Sequence, residues 1–143
     1  MQQNYQDAMA IVAAHGRPDL FITMTCNPKW KEITENLLPG QRASDRPDIV
    51  TRVFQMKLSI LLDDVTKRHI FGATIANLHV IEFQKRGLPH AHMLMLSSED
   101  KIRNASDIDN LVCPEIPDKE SEPELFNTIR SQIIHGPCGV LNP

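Results

Sequence analysis

The stretch Glu82-Phe83-Gln84-Lys85-Arg86-Gly87-Leu88-Pro89-His90-Ala91-His92 constrains this chain more than any other. Leu78 to Gln84 is rich in β-branched and aromatic residues and reads as a strand. A polar turn with Gly87 and Pro89 follows, and His90 to Leu96 reads as the return strand of a β-hairpin. Side chains alternate across a strand, so Glu82 and Gln84 share one face, as do His90 and His92. With the turn centred on Gly87, Glu82 falls opposite His92 and Gln84 opposite His90. Opposed side chains come within about 4.5–5.5 Å at Cβ. Two imidazoles, a carboxylate and a carboxamide then converge. That is half of a divalent-cation site, with room left for water or a phosphate oxygen.

A His-X-His triplet alone is a weak indication, and the facing Glu82 and Gln84 strengthen it. On the opposite face, Ile81, Phe83, Ala91, Met93 and Met95 read as core. Val80, Leu94 and Leu96 make the polar face apolar further along. A cation bound over such a floor interacts more strongly, because the dielectric is lower.

The remaining chain reads as one domain. Its 143 residues suffice to bury a core, and 41% hydrophobic with 23% charged residues is ordinary globular composition. The net charge of −3 announces no polyanion partner. Nucleic-acid contacts therefore fall to local basic pairs: Lys29/Lys31, Lys67/Arg68 and Lys85/Arg86. No apolar run is long enough to cross a bilayer, and no signal-peptide pattern opens the sequence. Cys26, Cys113 and Cys138, odd in number and widely spaced, argue against a disulfide framework and for a reducing compartment.

In chain order, Asn4 to Ala14 reads as a helix capped by Asn4 and stopped at Gly16. Leu20 to Cys26 is a strand with Phe21, Thr23 and Thr25 on one side and Ile22, Met24 and Cys26 on the other. Lys29 to Leu38 reads as a short helix with Trp30 and Ile33 turned inward. Asp48 to His69 is the strongest helix, its Val50, Phe54, Leu58, Leu61 and Val65 forming one apolar stripe. Ser44 or Asp45 can cap it, and Pro47 suits its first turn. His79 reads as core or a helix contact. After a polar loop at Ser97 to Ile102, short helices at Ser106 to Val112 and Glu124 to His135 flank an acidic connector punctuated by Pro114, Pro117 and Pro123. Helices and a strand pair without βαβ crossovers point to an α+β fold. Its centre is an antiparallel sheet with helices packed mainly on one face, close to ferredoxin-like arrangements.

Several of these segments resemble one family. Phe21 to Trp30 (FITMTCNPKW), Asp45 to Leu58 (DRPDIVTRVFQMKL), Val80 to Leu94 (VIEFQKRGLPHAHML) and His135 to Gly139 (HGPCG) are similar to the replication-initiator-like domain of Helitron transposon proteins. These belong to the HUH endonuclease superfamily, named for histidine-hydrophobic-histidine. His90-Ala91-His92 stands in that position. The resemblance implies a central antiparallel sheet and a nuclear enzyme that nicks single-stranded DNA, the transposon end, through a tyrosine hydroxyl. It implies Mg²⁺ or Mn²⁺ held by His90 and His92, with Glu82 the expected third ligand and Gln84 the alternative. It places Thr23, Thr25 and Asn27 near the site or the DNA; Lys29, Lys85 and Arg86 join them as DNA-binding candidates by their charge, and Trp30 as a ring on which a base could stack. The nucleophilic tyrosine of the family lies on a helix downstream of the histidines, whereas the single tyrosine here is Tyr5. The resemblance therefore implies either one domain over residues 1–143 that continues past its C-terminal end, in a parent protein carrying a fused helicase domain, or a degenerate copy, a catalytically inactive remnant that binds single-stranded nucleic acid. Further cysteines past that end would let His135 and Cys138 join a zinc site.

Overall fold

A computed structural model of the chain describes residues 2–84, 87–97, 104–113 and 115–134. They fall in two compact units, Met1–Arg103 and Asn104–Pro143. The first opens with helix α1 (Gln2–His15), followed by strand β1 (Leu20–Thr25) and the single turn α2 (Lys31–Thr34). The long helix α3 (Pro47–Thr66) leads into a hairpin of β2 (Thr74–Phe83) and β3 (Pro89–Ser97). The sheet is antiparallel with order β1-β3-β2, so β3 is its central strand. This is the expected α+β fold.

Helix α3 supplies the core. Val50, Val53, Phe54, Leu58 and Val65 are buried along one stripe, as the three-and-four spacing requires. Phe54, Leu58, Val50 and Val53 pack in one cluster with Ala91 and Met93 of β3 and Ile33 of α2, and Ile22 and Met24 of β1 pack against it. Pro47 occupies the first turn, where its missing N–H costs nothing. Ser44 and Asp45 do not cap the helix. They lie in a separate 3₁₀ turn, Ala43–Asp45, where the Asp45 carboxylate accepts from the Arg42 N–H at 2.9 Å. The N-cap is instead Arg46, whose guanidinium forks onto Asp48 at 2.9 and 2.7 Å. That pair draws the Asp48 carboxyl down to about 2.

Other boundaries moved for local reasons. Helix α1 begins before Asn4, so Asn4 lies inside it and is not its cap. It ends where Gly16 takes φ +90° and returns its N–H to the Val12 carbonyl. Helix α2 is only four residues long, with Trp30 as its N-cap. Asp19 ties the start of β1 to the end of β3: its N–H donates to the Met95 carbonyl, and its carboxylate accepts from the Ser97 N–H, both at 2.8 Å.

The hairpin carries two corrections. Glu82 pairs with His90 and Val80 with His92, so the register is displaced by two residues from the expected one. The reason is the loop. Gln84 N–H donates to the Leu88 carbonyl and Gly87 N–H to that of Gln84, with Gly87 at φ +76°. Glycine therefore closes the loop from its last position and is not its centre. The second correction concerns the core face. Ala91 and Met93 are fully buried, but Ile81 and Phe83 are exposed, Phe83 to 60%. His79, on the same face, is also exposed and is not a core residue. The core cluster covers this face at β3 and β1, and β2 is an edge strand beyond it.

The second unit contains α4 (Ala105–Leu111), α5 (Pro123–Thr128) and a π-helical turn, Ile129–Ile133. Asn104 and Asp107 cap α4 reciprocally, each side chain accepting from the other's backbone N–H. Residues 98–103 and 135–143, including His135 and Cys138, lie outside the described residues.

Two outcomes follow. Leu58→Ala should lower unfolding free energy by about 2–5 kcal/mol in denaturant titrations, against little change for Ile60→Ala on the exposed side of the same helix. The Asp48 carboxyl, lower in the folded chain than unfolded, contributes stability that is complete above its ordinary value near 3.8 and is lost as pH falls toward 2. Asp48→Asn should remove that part of the acid limb, read by circular dichroism between pH 5 and 2 (about the span over which such a linkage acts).

Candidate metal centre

The site lies on the face of the sheet opposite α3. Across the three strands it is built in rows. Thr25, His90 and Glu82 form the first, Thr23, His92 and Val80 the second, and Phe21, Leu94 and Leu78 the third. The displaced register kept the polar residues together. A slip of two leaves every side chain on its own face, whereas a slip of one would have sent the histidines into the core.

Both imidazoles are held from β1. Thr25 Oγ1 lies 2.8 Å from His90 Nδ1, and Thr23 Oγ1 lies 3.1 Å from His92 Nδ1. The rings meet edge to face, with centroids 4.7 Å apart. With hydrogen on Nδ1 donated to threonine oxygen, each ring turns its Nε2 lone pair outward. This is how histidine is presented to a metal, the second nitrogen fixing tautomer and ring plane. The Glu82 carboxylate is 4.0 Å from His92 Nε2, on that outward side. Gln84 contacts His90 at Nδ1, 3.4 Å away, which is the side already occupied by Thr25. Its amide is thus placed to orient the ring, and Glu82 is the one placed beside an Nε2 atom.

The donor set suits a divalent cation: two neutral imidazole nitrogens and a carboxylate that is 65% exposed and able to swing inward. Among the described residues, no three His, Cys, Asp or Glu side chains already stand close enough to hold a metal ion. To bring three donors together, Glu82 would be the side chain to move.

The other expected site residues are scattered. Thr23 and Thr25 act on the histidines directly. Asn27 shapes the end of β1, its side-chain oxygen accepting from the Lys29 N–H at 2.9 Å and its carbonyl from the Trp30 N–H at 3.1 Å. Lys29 is exposed. Trp30 is half-buried against the core, with Lys57 Nζ 5.1 Å over its ring and paired to Glu32 at 2.7 Å. That pairing lowers the Glu32 carboxyl. Lys85 and Arg86 lie outside the described residues. Cys26, at the end of β1, is buried, and desolvation pushes its thiol up to about 11, so it offers no thiolate.

One neighbour was missed from sequence. The Phe21 ring stacks on His92, centroids 5.4 Å apart and planes within 13°. Its alternation with Thr23 and Thr25 had placed it on this face, but nothing in that pattern says which rings touch.

A model of the Helitron helicase-like domain at the N-terminus matches residues 1–95, from the first helix through Met95 of β3. The match covers β1 and β2 whole, β3 as far as Met95, and both His90 and His92. This chain belongs to that family. Among curated proteins no relative matches it. Within the described residues of this Helitron helicase-like domain, no helix is long and apolar enough to cross a membrane.

The threonine contacts have a direct spectroscopic consequence. His90 and His92 should show the Nδ1–H tautomer in ¹³C and ¹⁵N spectra at a pH where both are neutral. Thr25→Val should move His90 toward the Nε2–H form, and Thr25→Ser should restore it. A wild-type Nε2–H tautomer at both rings would contradict the arrangement.

Proposed function

We propose that this domain is the metal- and DNA-binding part of an HUH-type endonuclease that nicks one strand of single-stranded DNA at a transposon end. The observation that carries the reading is the pair of threonine-held imidazoles with Glu82 beside the outward nitrogen of His92. His90, His92 and Glu82 would hold Mg²⁺ or Mn²⁺, and Gln84 with Thr23 and Thr25 would keep the two rings in place. When bound, the cation supplies charge that polarises the scissile phosphate and offsets the charge developing on its oxygens.

In the reaction a tyrosine oxygen bonds to phosphorus while the bond from phosphorus to the 3′ oxygen breaks. The 5′ phosphate stays on tyrosine, and the 3′ oxygen leaves as a hydroxyl once protonated. Energy is kept in the phosphotyrosine for later joining. Tyr5, in α1, is the chain's single tyrosine, and we assign it no part in this step. The nucleophile is ascribed to a further segment of the parent protein, together with a fused helicase domain. The sheet surface described above would position the strand and its phosphate.

A second reading is favoured by one observation. Because no three ligands already converge among the described residues, the domain can instead be a metal-independent single-strand-binding module. Mn²⁺ titration separates the two. On the first reading wild type binds Mn²⁺, His90→Ala and His92→Ala abolish binding, and Thr25→Val weakens it about 10–100-fold. Glu82→Ala should cost more than Gln84→Ala. DNA affinity that is unchanged by chelator, with no histidine-dependent Mn²⁺ uptake, would establish the second reading instead.

A further inference from the structure

We infer that Phe21 is a stacking platform for an unpaired base of the strand lying across the histidines, and so helps the site select single-stranded over duplex DNA. This rests on the proposed DNA-binding role and deepens it.

A single exposed phenylalanine carries no message by itself. Three features set this one apart. Phe21 is 64% exposed although one face of its ring already lies on His92, so the rest of the ring is in solvent. It continues a line of rings, Phe21 on His92 and His92 against His90, that runs from apolar to polar ground on one sheet face. Val80, directly opposite His92 on β2, is half-exposed on the same face, so the apolar ground extends to both sides of that histidine.

The spacing matches the chemistry of a nucleotide. Successive residues on one face of a strand are about 6.6–6.8 Å apart, so Phe21 lies one such step beyond Thr23 and two beyond Thr25. A strand running over His90 and His92 can therefore set one of its bases over the Phe21 ring. Aromatic rings accept any base by its π-face, without sequence readout. The base must be unpaired, because in a duplex both faces are covered by its neighbours. With a net charge of −3 the domain draws little affinity from bulk electrostatics, which leaves stacking a larger share.

The test uses the whole chain with chelator present, so that it does not depend on metal. Fluorescence anisotropy compares a labelled oligothymidylate, an abasic deoxyribose-phosphate strand of equal length, and a duplex. Phe21→Ala and Phe21→Leu should each weaken oligothymidylate binding about 5- to 150-fold, the range spanned by one base–aromatic stack. Phe21→Trp should retain it. Affinity for the abasic strand and for duplex should be the same in all four proteins. Equal losses on thymidylate and abasic strands would overturn the proposal, since Phe21 would then act only by shaping the sheet. So would unchanged thymidylate affinity in Phe21→Ala, or wild type that binds no single strand. Mn²⁺ titration of the same proteins reports separately on the metal reading, whichever way the DNA result falls.

Discussion

The structure depends on β3 being paired on both sides. As the central strand it takes β1 along one edge and β2 along the other, and its two faces face opposite demands. Ala91, Met93 and Met95 are buried on one face, with Ala91 and Met93 in the α3 cluster, while His90 and His92 emerge on the other. A shift of one residue would bury two imidazoles and expose two methionines. The core that holds the domain together therefore also fixes which way the histidines point.

Pairing with β1 does more than complete the sheet. It sets a threonine beside each histidine, at distances where the hydroxyl and Nδ1 share a hydrogen. Imidazoles on a solvent-facing sheet would otherwise rotate among rotamers and exchange tautomers. Fixing them from the adjacent strand costs no ordering of long side chains, since threonine is already restricted at χ1. The same strand lends Phe21 to the His92 ring. β1 thus holds the two histidines in place without contributing an imidazole or a carboxylate of its own.

Much of this was legible because local rules and tertiary demands agreed. The α3 stripe from Val50 to Val65 packs as its spacing implied, and the two faces of β1 divide as the alternation of Leu20 to Cys26 required. Where the reading departed from the structure, the cause was one that residue type and spacing alone do not carry. The Glu82 partner depended on where Gly87 falls in the loop, which the presence of a glycine does not reveal. Ile81 and Phe83 have the composition of core residues, yet the core cluster beneath the sheet does not cover them. The helix expected from Lys29 shrank to one turn, with Trp30 at its cap and only Ile33 fully committed to the core.

By itself the sequence determined the family, the α+β class and the grouping of two histidines with a carboxylate and a carboxamide on one face. Each of these rests on motif or on a period of two, and a strand's alternation survives any even shift of register. Only the tertiary structure decided that Glu82, and not Gln84, stands at an outward imidazole nitrogen, that Thr23 and Thr25 hold the rings, and that Phe21 lies against one of them. The threonine and Phe21 contacts join strands far apart in the chain, Thr23 and His92 being 69 residues apart, and the Glu82 and Gln84 contacts depend on how the hairpin loop closes. Chain closure brings such residues together, and no local pattern encodes which atoms meet.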